Sequence, residues 1–255
     1  MQDPIQTTAP NVGLAPPQMS SAKAVNWTRY ADAYDLLLDH NPAYQALIED
    51  LQDFLEKADL PDVPEVLDAG GGTGNFSEAL LRHRPDAVLC LAEPDPGMRA
   101  KAQHKLASFG RARLAAVPFE DFDDDTAFDL IICTHALYAM PSPEDRLKQM
   151  YDLVKPGGWL FLIDFGRQMN VWDWRLYMMR HLIRKVGLRQ AMQIAKEGKE
   201  IAVQNTLVAE RQKAGDYWLH TPGELESSLT AVGWTVHDRR VVYRGYSTLA
   251  ICKRT

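Results

Sequence analysis

Val66-Leu-Asp-Ala-Gly-Gly-Gly-Thr-Gly-Asn-Phe76 joins a short apolar run to a helix-periodic stretch through four glycines and a threonine. Without a Cβ, Gly70 to Gly72 let the backbone take positive φ and approach a ligand closely. The acid two residues earlier, Asp68, narrows the choice of ligand. A phosphate-binding P-loop needs G-x-x-x-x-G-K-[ST], and no Lys or Arg occurs between Val66 and Leu81. A dinucleotide fingerprint needs a third glycine where Asn75 stands; the spacing here is G-x-G-x-G through Gly70, Gly72 and Gly74.

Charge points the same way. Two unit charges about 4 Å apart near a protein surface interact by roughly 4 kcal/mol, so Asp68 beside a pyrophosphate is a penalty and beside a cation a gain. S-adenosylmethionine, a nucleoside with ammonium and sulfonium groups and no phosphate, satisfies both the glycines and the acid. In Leu91-Ala-Glu-Pro-Asp-Pro-Gly-Met98, Glu93 follows Gly74 at close to the spacing at which an acid accepts hydrogen bonds from ribose hydroxyls. Pro94, Asp95 and Met98 follow where the adenine should lie.

Working outward, the apolar runs 65–69, 87–92, 113–117, 128–134 and 159–164 have the length of buried strands, and 75–84, 96–109 and 143–154 read as helices. This alternation implies an α/β fold, with a parallel sheet covered on both faces. Ser142-Pro143 reads as an N-cap with Pro in the first turn, and Thr221-x-x-Glu224 as a capping box. Two helices are expected between Trp27 and Lys57, broken at Asn41-Pro42. Two strand-like runs flank Tyr243-Arg244-Gly245 and suit a terminal antiparallel pair.

Residues 65 to about 165 resemble the class I S-adenosylmethionine-dependent methyltransferases, through the acid and G-x-G-x-G after the first strand and the acid ending the second. The resemblance implies a Rossmann-like, doubly wound, mostly parallel seven-stranded sheet whose last strand is antiparallel. It implies S-adenosylmethionine as cofactor and methyl transfer as activity, and leaves the acceptor open. Where the family commonly places an adenine-pairing acid after the third strand, this chain has Pro118. Glu120, Asp121 or the backbone of Phe119 is left for that role.

Methyl transfer is a displacement that alignment and desolvation accelerate. A crevice at the carboxyl ends of the strands nominates Thr134 and His135 after the fourth strand and Asp164 after the fifth. His135 is a candidate cofactor contact or base. Trp27-Thr-Arg-Tyr-Ala-Asp-Ala-Tyr-Asp35 resembles the helix that closes over the cofactor in small-molecule members of the family. Tyr30 and Tyr34, four apart, share one face of it and are candidate catalytic contacts to the sulfonium or to the cofactor carboxylate.

Between Gly166 and Gly215 the strand pattern lapses into helices. Residues 167–213 hold ten Lys or Arg against four Asp or Glu, so a segment of +6 sits on a remainder of −12. Trp172, Trp174, Tyr177, Met178 and Met179 stand beside Arg175, Arg180, Arg184 and Lys185. Such a helical lid suits an anionic or aromatic small molecule, or the surface of an anionic membrane. Trp218, His220 and Arg244 are further candidates on that side.

The expected organisation is a mobile, proline-rich tail over 1–24 and a single domain over 25–255. Within it, 25–60 form a helical cap, 61–165 the cofactor-binding core, 166–216 the substrate lid and 217–255 a final helix and strand pair. A net charge of −6 argues against general nucleic-acid binding. Cys90, Cys133 and Cys252 lie far apart within apolar runs and read as buried thiols. The seven histidines show no H-E-x-x-H, so no catalytic metal is expected. Without a membrane-length apolar run or a signal-like N-terminus, the chain reads as cytoplasmic. The competing functions are an NAD-dependent oxidoreductase, disfavoured by Asp68 and Asn75, and a non-catalytic nucleoside-binding partner subunit.

Overall fold

Seven apolar runs pair into one sheet in the computed structural model, which describes residues 23–255. They are β1 (Glu65–Ala69), β2 (Val88–Ala92), β3 (Ala112–Ala115), β4 (Phe128–Thr134), β5 (Val154–Phe165), β6 (Trp234–Val242) and β7 (Ser247–Arg254). Their order is β3-β2-β1-β4-β5-β7-β6, and β7 runs antiparallel to both its neighbours. β1 lies between β2 and β4, so the winding direction reverses there. The crevice beyond the carboxyl ends of β1 and β4 is therefore the topological switch point at which open α/β sheets take ligands.

Ten helices cover the described chain: α1 (Trp27–Tyr34), α2 (Leu36–His40), α3 (Pro42–Lys57), α4 (Asn75–His83), α5 (Pro96–Leu106), α6 (Pro143–Leu153), α7 (Val171–Val186), α8 (Leu188–Glu197), α9 (Lys199–Ala214) and α10 (Pro222–Val232). On one face of the sheet Leu51, Phe54, Leu80 and Leu106 pack against Val66, Leu89 and Phe161. On the other, Leu147, Met150, Leu225 and Leu229 pack against Leu67, Ile131 and Leu160. Each such side chain contributes roughly 1.5–3 kcal/mol by leaving water, and residues facing both cores explain why the central strands read as continuous apolar runs.

Three local expectations are corrected. The segment before the sheet forms three helices, because the chain also breaks at Asp35; Asn41 then caps α3 by accepting from the Ala43 N–H, with Pro42 in the first turn. Ser142 precedes α6 in a left-handed conformation (φ 49°) and makes no side-chain cap. β5 begins at Val154, where a short pairing with Phe128 precedes an irregularity before Leu130 pairs with Trp159. The Thr221–Glu224 capping box and the terminal antiparallel pair are present as read. The three cysteines are buried and unpaired. The expected tail lies outside the described residues apart from its last two.

Candidate active site

The glycine turn leaves β1 by folding back on β2: the N–H groups of Gly70 and Gly71 donate to Ala92 O at 2.8 and 3.3 Å. Gly70 adopts φ +73°, and a Cβ there would stand 2.6 Å from the Ala136 Cβ. A Cβ on Gly71 would stand 2.6 Å from Leu91 and 2.8 Å from the Asp68 carboxylate. Only glycine fits this approach between two layers. Asp68 lies beneath the turn, fully buried, with Oδ2 accepting from Ser77 Oγ at 2.6 Å and no partner for Oδ1. Burial pushes its carboxyl up to about 7, opposed by the Ser77 hydrogen bond and reinforced by Glu93.

Glu93, at the end of β2, ties the site together. Its Oε2 accepts from the Gly72 N–H at 3.0 Å and its Oε1 from the Asp95 N–H at 2.8 Å. Burial raises its pKa while these two bonds hold it down. Asp95 caps α5, accepting from the Met98 N–H at 2.9 Å, and also takes the Thr28 hydroxyl of α1 at 2.8 Å. A second tie holds that segment: Thr73 Oγ1 donates to Asp35 at 2.8 Å, and Lys105 bridges Asp35 and Asn75. The helix that the sequence places over the crevice is thus bonded to both nucleotide-side loops.

Between these loops and α1 lies a cavity of about 220 Å³. Of the expected site residues Tyr34, Gly70, Gly72, Glu93, Pro94, Met98, Phe119, Glu120, Thr134 and His135 line it, and Trp27 and Tyr44 complete the α1 side. Asp68, Gly74, Asp95 and Tyr30 stand behind that wall; a Cβ on Gly74 would stand 3.3 Å from that of Ala102, where α4 begins against α5. Of the three adenine-side candidates, Phe119 and Glu120 reach the cavity and Asp121 does not. Asp164 does not line the cavity: by strand alternation it shares the core face of Leu160 and Leu162, fully buried, and burial pushes its pKa well up against the backbone N–H groups of Phe165 and Tyr138.

His135 follows β4 with φ +49°, its N–H donating to Ile163 O at 2.7 Å. Nε2 stands 2.7 Å from Ser247 Oγ, and the ring stacks on Phe165 at 4.6 Å and meets Tyr243 at 4.8 Å. Part of the ring's surface faces the cavity, yet the apolar enclosure holds its pKa down to about 3. So low a pKa leaves the ring unprotonated but makes it a weak proton acceptor at pH 7. Burial also raises the tyrosines, Tyr34 to about 12, so they stand as neutral donors. Tyr30 donates to Asn205 Oδ1 of α9 at 2.5 Å, and its ring meets Tyr34 at 5.0 Å.

Beyond Tyr243 a second cavity, about 460 Å³, opens between α2, α7, α8 and α9. Asn41, Trp174, Met178, Met179, Asn205 and Tyr243 are on its wall, so a layer of tyrosines separates it from the first. Arg244 clamps α7 to the β6–β7 turn through two bonds to Asp173, at 3.0 and 3.1 Å, and lies 4.0 Å from the Tyr177 ring centre. Trp218 and His220 line neither cavity; their rings meet at 4.7 Å, tilted by 50°. Asn205, Tyr243 and Ser247 are the site groups the sequence reading missed, and none of them had a local signal.

Comparison with known proteins decides the family. Residues 39–238 match the methyltransferase domain family, well over half the chain. The chain belongs to the class I S-adenosylmethionine-dependent methyltransferases. It is 30% identical over 160 residues to the ubiquinone biosynthesis O-methyltransferase of Bordetella avium, covering 62% of this chain and 63% of that protein. To the trans-aconitate 2-methyltransferase of Variovorax paradoxus it is 32% identical over 133 residues, 48% of each. The chain thus spans less than two thirds of either relative. The N-methyltransferase NodS of Bradyrhizobium japonicum, solved with S-adenosylhomocysteine, superposes with a TM-score of 0.59 at 17% identity over 90% of this chain and 99% of that one. That likeness is one of fold.

Proposed function

We propose that the protein transfers the methyl group of S-adenosylmethionine to a small-molecule acceptor by direct displacement. The observation that carries this reading is Glu93, whose carboxylate lines the switch-point cavity while holding the Gly72 amide of the glycine turn. In this reading Glu93 accepts from the ribose hydroxyls, and Pro94, Met98, Phe119 and Glu120 enclose the base. Gly70 and Gly72 give the cofactor its close approach; Asp68 and Gly74 support the turn from behind, and Asp95 fixes the α5 end. Tyr34, Thr134 and His135 face the methionyl end. The bound cofactor supplies a methyl carbon on a positively charged sulfur. What the chain adds is alignment and exclusion of water, with neutral tyrosine and histidine groups around the transfer path. The names of the two relatives, both acting on small organic molecules, support an acceptor of that kind.

Incubation with S-adenosylmethionine and a panel of amines, thiols, phenols, carboxylates and lipid headgroups tests the reading by release of S-adenosylhomocysteine. Glu93→Gln should weaken cofactor binding about tenfold, the loss of charge-assisted hydrogen bonds. Full affinity in that variant, or tighter binding of NAD than of S-adenosylmethionine, would count against it.

A second reading has its own observation. Trp172, Leu176, Ile183, Leu188, Met192 and Val203 are exposed large apolar side chains, all within the basic insertion. Their combination with Arg175, Arg180, Arg184 and Lys185 suits peripheral contact with an anionic membrane. Among the described residues no helix is long and apolar enough to cross one.

A further inference from the structure

Two hollows meet beside α7. The inner one, about 460 Å³, is walled by Leu37, Trp174, Met178, Met179, Leu182 and Ile201 among others, and a cavity of this size takes a drug-sized ligand. The Lys and Arg side chains on its wall are Arg175 and Lys199, with His40 beside them; no Asp or Glu lines it. The outer cleft is mixed in polarity, and its charged residues are Arg167, Arg175 and Arg244 against the single carboxylate of Asp173. Asp173 is already committed, to the bidentate Arg244 pair and the Tyr246 hydroxyl at 2.7 Å. Arg167 lies 3.8 Å from the Tyr246 ring centre and Arg175 5.1 Å from that of Trp172. Met169, Val171, Arg175 and Thr206 belong to both walls, so the hollows join at Arg175.

On a chain of net charge −6 this cationic rim around an apolar interior is complementary to one kind of molecule. From this geometry we infer that the acceptor is an amphiphile, with an apolar body in the inner cavity and one anionic end held by Arg175 and Arg167 where the hollows join. The inference rests on the methyl-transfer reading only in calling this ligand the acceptor. Guanidinium groups pair carboxylate, phosphate and sulfonate oxygens with directional, charge-assisted hydrogen bonds, and both arginines are exposed and so open to an incoming anion. The Met178 and Met179 thioethers adapt to an irregular apolar body. The far end of such a ligand meets Tyr243, Asn41 and Asn205. Tyr243 is 4.8 Å, ring to ring, from His135 of the cofactor cavity, so the nucleophile lies at the end opposite the anion, and the tyrosine layer between the two cavities has to part for transfer.

Calorimetric titration of the full chain saturated with S-adenosylhomocysteine tests this with dodecanoate, dodecanol and dodecyltrimethylammonium, which share a chain and differ in head charge. Binding of S-adenosylhomocysteine is measured first; its failure would overturn the methyl-transfer reading separately. Dodecanoate should bind about tenfold more tightly than dodecanol, and the cation more weakly than either. Arg175→Met should remove the advantage of dodecanoate and leave dodecanol unchanged. Ala202→Phe, which fills the inner cavity, should abolish both, with Ala195→Leu as the milder filling variant if the first does not fold. Leu188→Ser, exposed and outside both hollows, should change neither. Equal affinity for the three heads overturns the anionic end, and so does an Arg175→Met variant that keeps the preference. Dodecanoate binding that survives cavity filling and falls with Leu188→Ser overturns the cavity as its site.

Discussion

Ser247 Oγ lies 2.7 Å from His135 Nε2, joining the end of β4 to the start of β7 across the cavity wall. With Phe165 stacked on the ring and Tyr243 tilted against it, the imidazole has no carboxylate to stabilise a charge. Its pKa is held down to about 3 by burial. We therefore expect ring resonances of His135, followed by NMR, to show no titration between pH 8 and pH 5. A midpoint near 6.5 would mean that the ring is solvated and available as a base. Ser247→Ala should cost about 1 kcal/mol of stability, the usual worth of one such bond.

Asp68 gives a pH dependence of opposite slope. Its folded pKa, about 7, is raised above the unfolded value near 3.9, so the native state holds the proton more tightly. The stability this contributes is fully present below pH 3.9 and is lost as pH rises to 7. His135, with a depressed pKa, does the reverse, losing stability as pH falls from 6.5 towards 3. The two partly cancel in the wild type, so a difference experiment is needed. Asp68→Asn, compared with wild type by urea unfolding, should gain relative stability between pH 4 and pH 8, by an upper bound of about 4 kcal/mol. A pH-independent difference would show that Asp68 ionises freely in the folded protein.

The sheet was legible because its central strands are buried on both faces, which leaves no alternation to misread in Leu67, Leu89 or Ile131. Glycine chemistry made the turn after β1 legible, and Glu93 followed from spacing. The orientation of Asp68 was not legible. A carboxylate at a strand end can face the ligand or the core, and it is Ser77, nine residues on, that draws it inward. The same holds for Asp95, drawn to the Met98 amide of α5 and to Thr28. Asn205, Tyr243 and Ser247 reach the site from distant elements by tertiary packing, so no local pattern announces them. The break at Asp35 falls inside continuous helical periodicity, and Ser142 takes φ 49° where its neighbour Pro143 suggested an ordinary cap.

The exposed apolar stripe on the insertion makes a prediction about membranes. Trp172, Ile183 and Leu176 fall within one narrow arc of α7, and Trp172 is 76% exposed. Arg180 and Arg184 follow beside that arc. Co-sedimentation should therefore be stronger with vesicles containing phosphatidylglycerol than with pure phosphatidylcholine, and should fall with added salt. Trp172→Ser should weaken it further. Equal sedimentation with both vesicles would remove the electrostatic part, and none with either would remove the membrane reading.

Arg244 and Asp173 decide how firmly the insertion is held. Tyr243 and Arg244 both take positive φ, a conformation that costs energy in non-glycine residues, and it turns the guanidinium towards α7. There it makes two bonds to Asp173 and lies over the rings of Trp174, at 4.7 Å, and Tyr177. Asp173 also accepts from Tyr246, and these donors lower its carboxyl pKa, so the clamp persists below the pH at which an ordinary Asp protonates. The pair is part-exposed, at 25% and 39%, and the screened ion pair contributes little beyond the ring contacts. Arg244→Met should therefore lower global stability by only about 1 kcal/mol. Its larger effect should be local: amide exchange in α7 should speed up while β1 and β4 keep their protection. Arg244→Lys, which keeps the charge and loses the planar bidentate contact, should behave nearly as Arg244→Met. Full protection of α7 in the lysine variant would show that charge alone holds the insertion, and unchanged exchange in both variants that the clamp does not hold it at all.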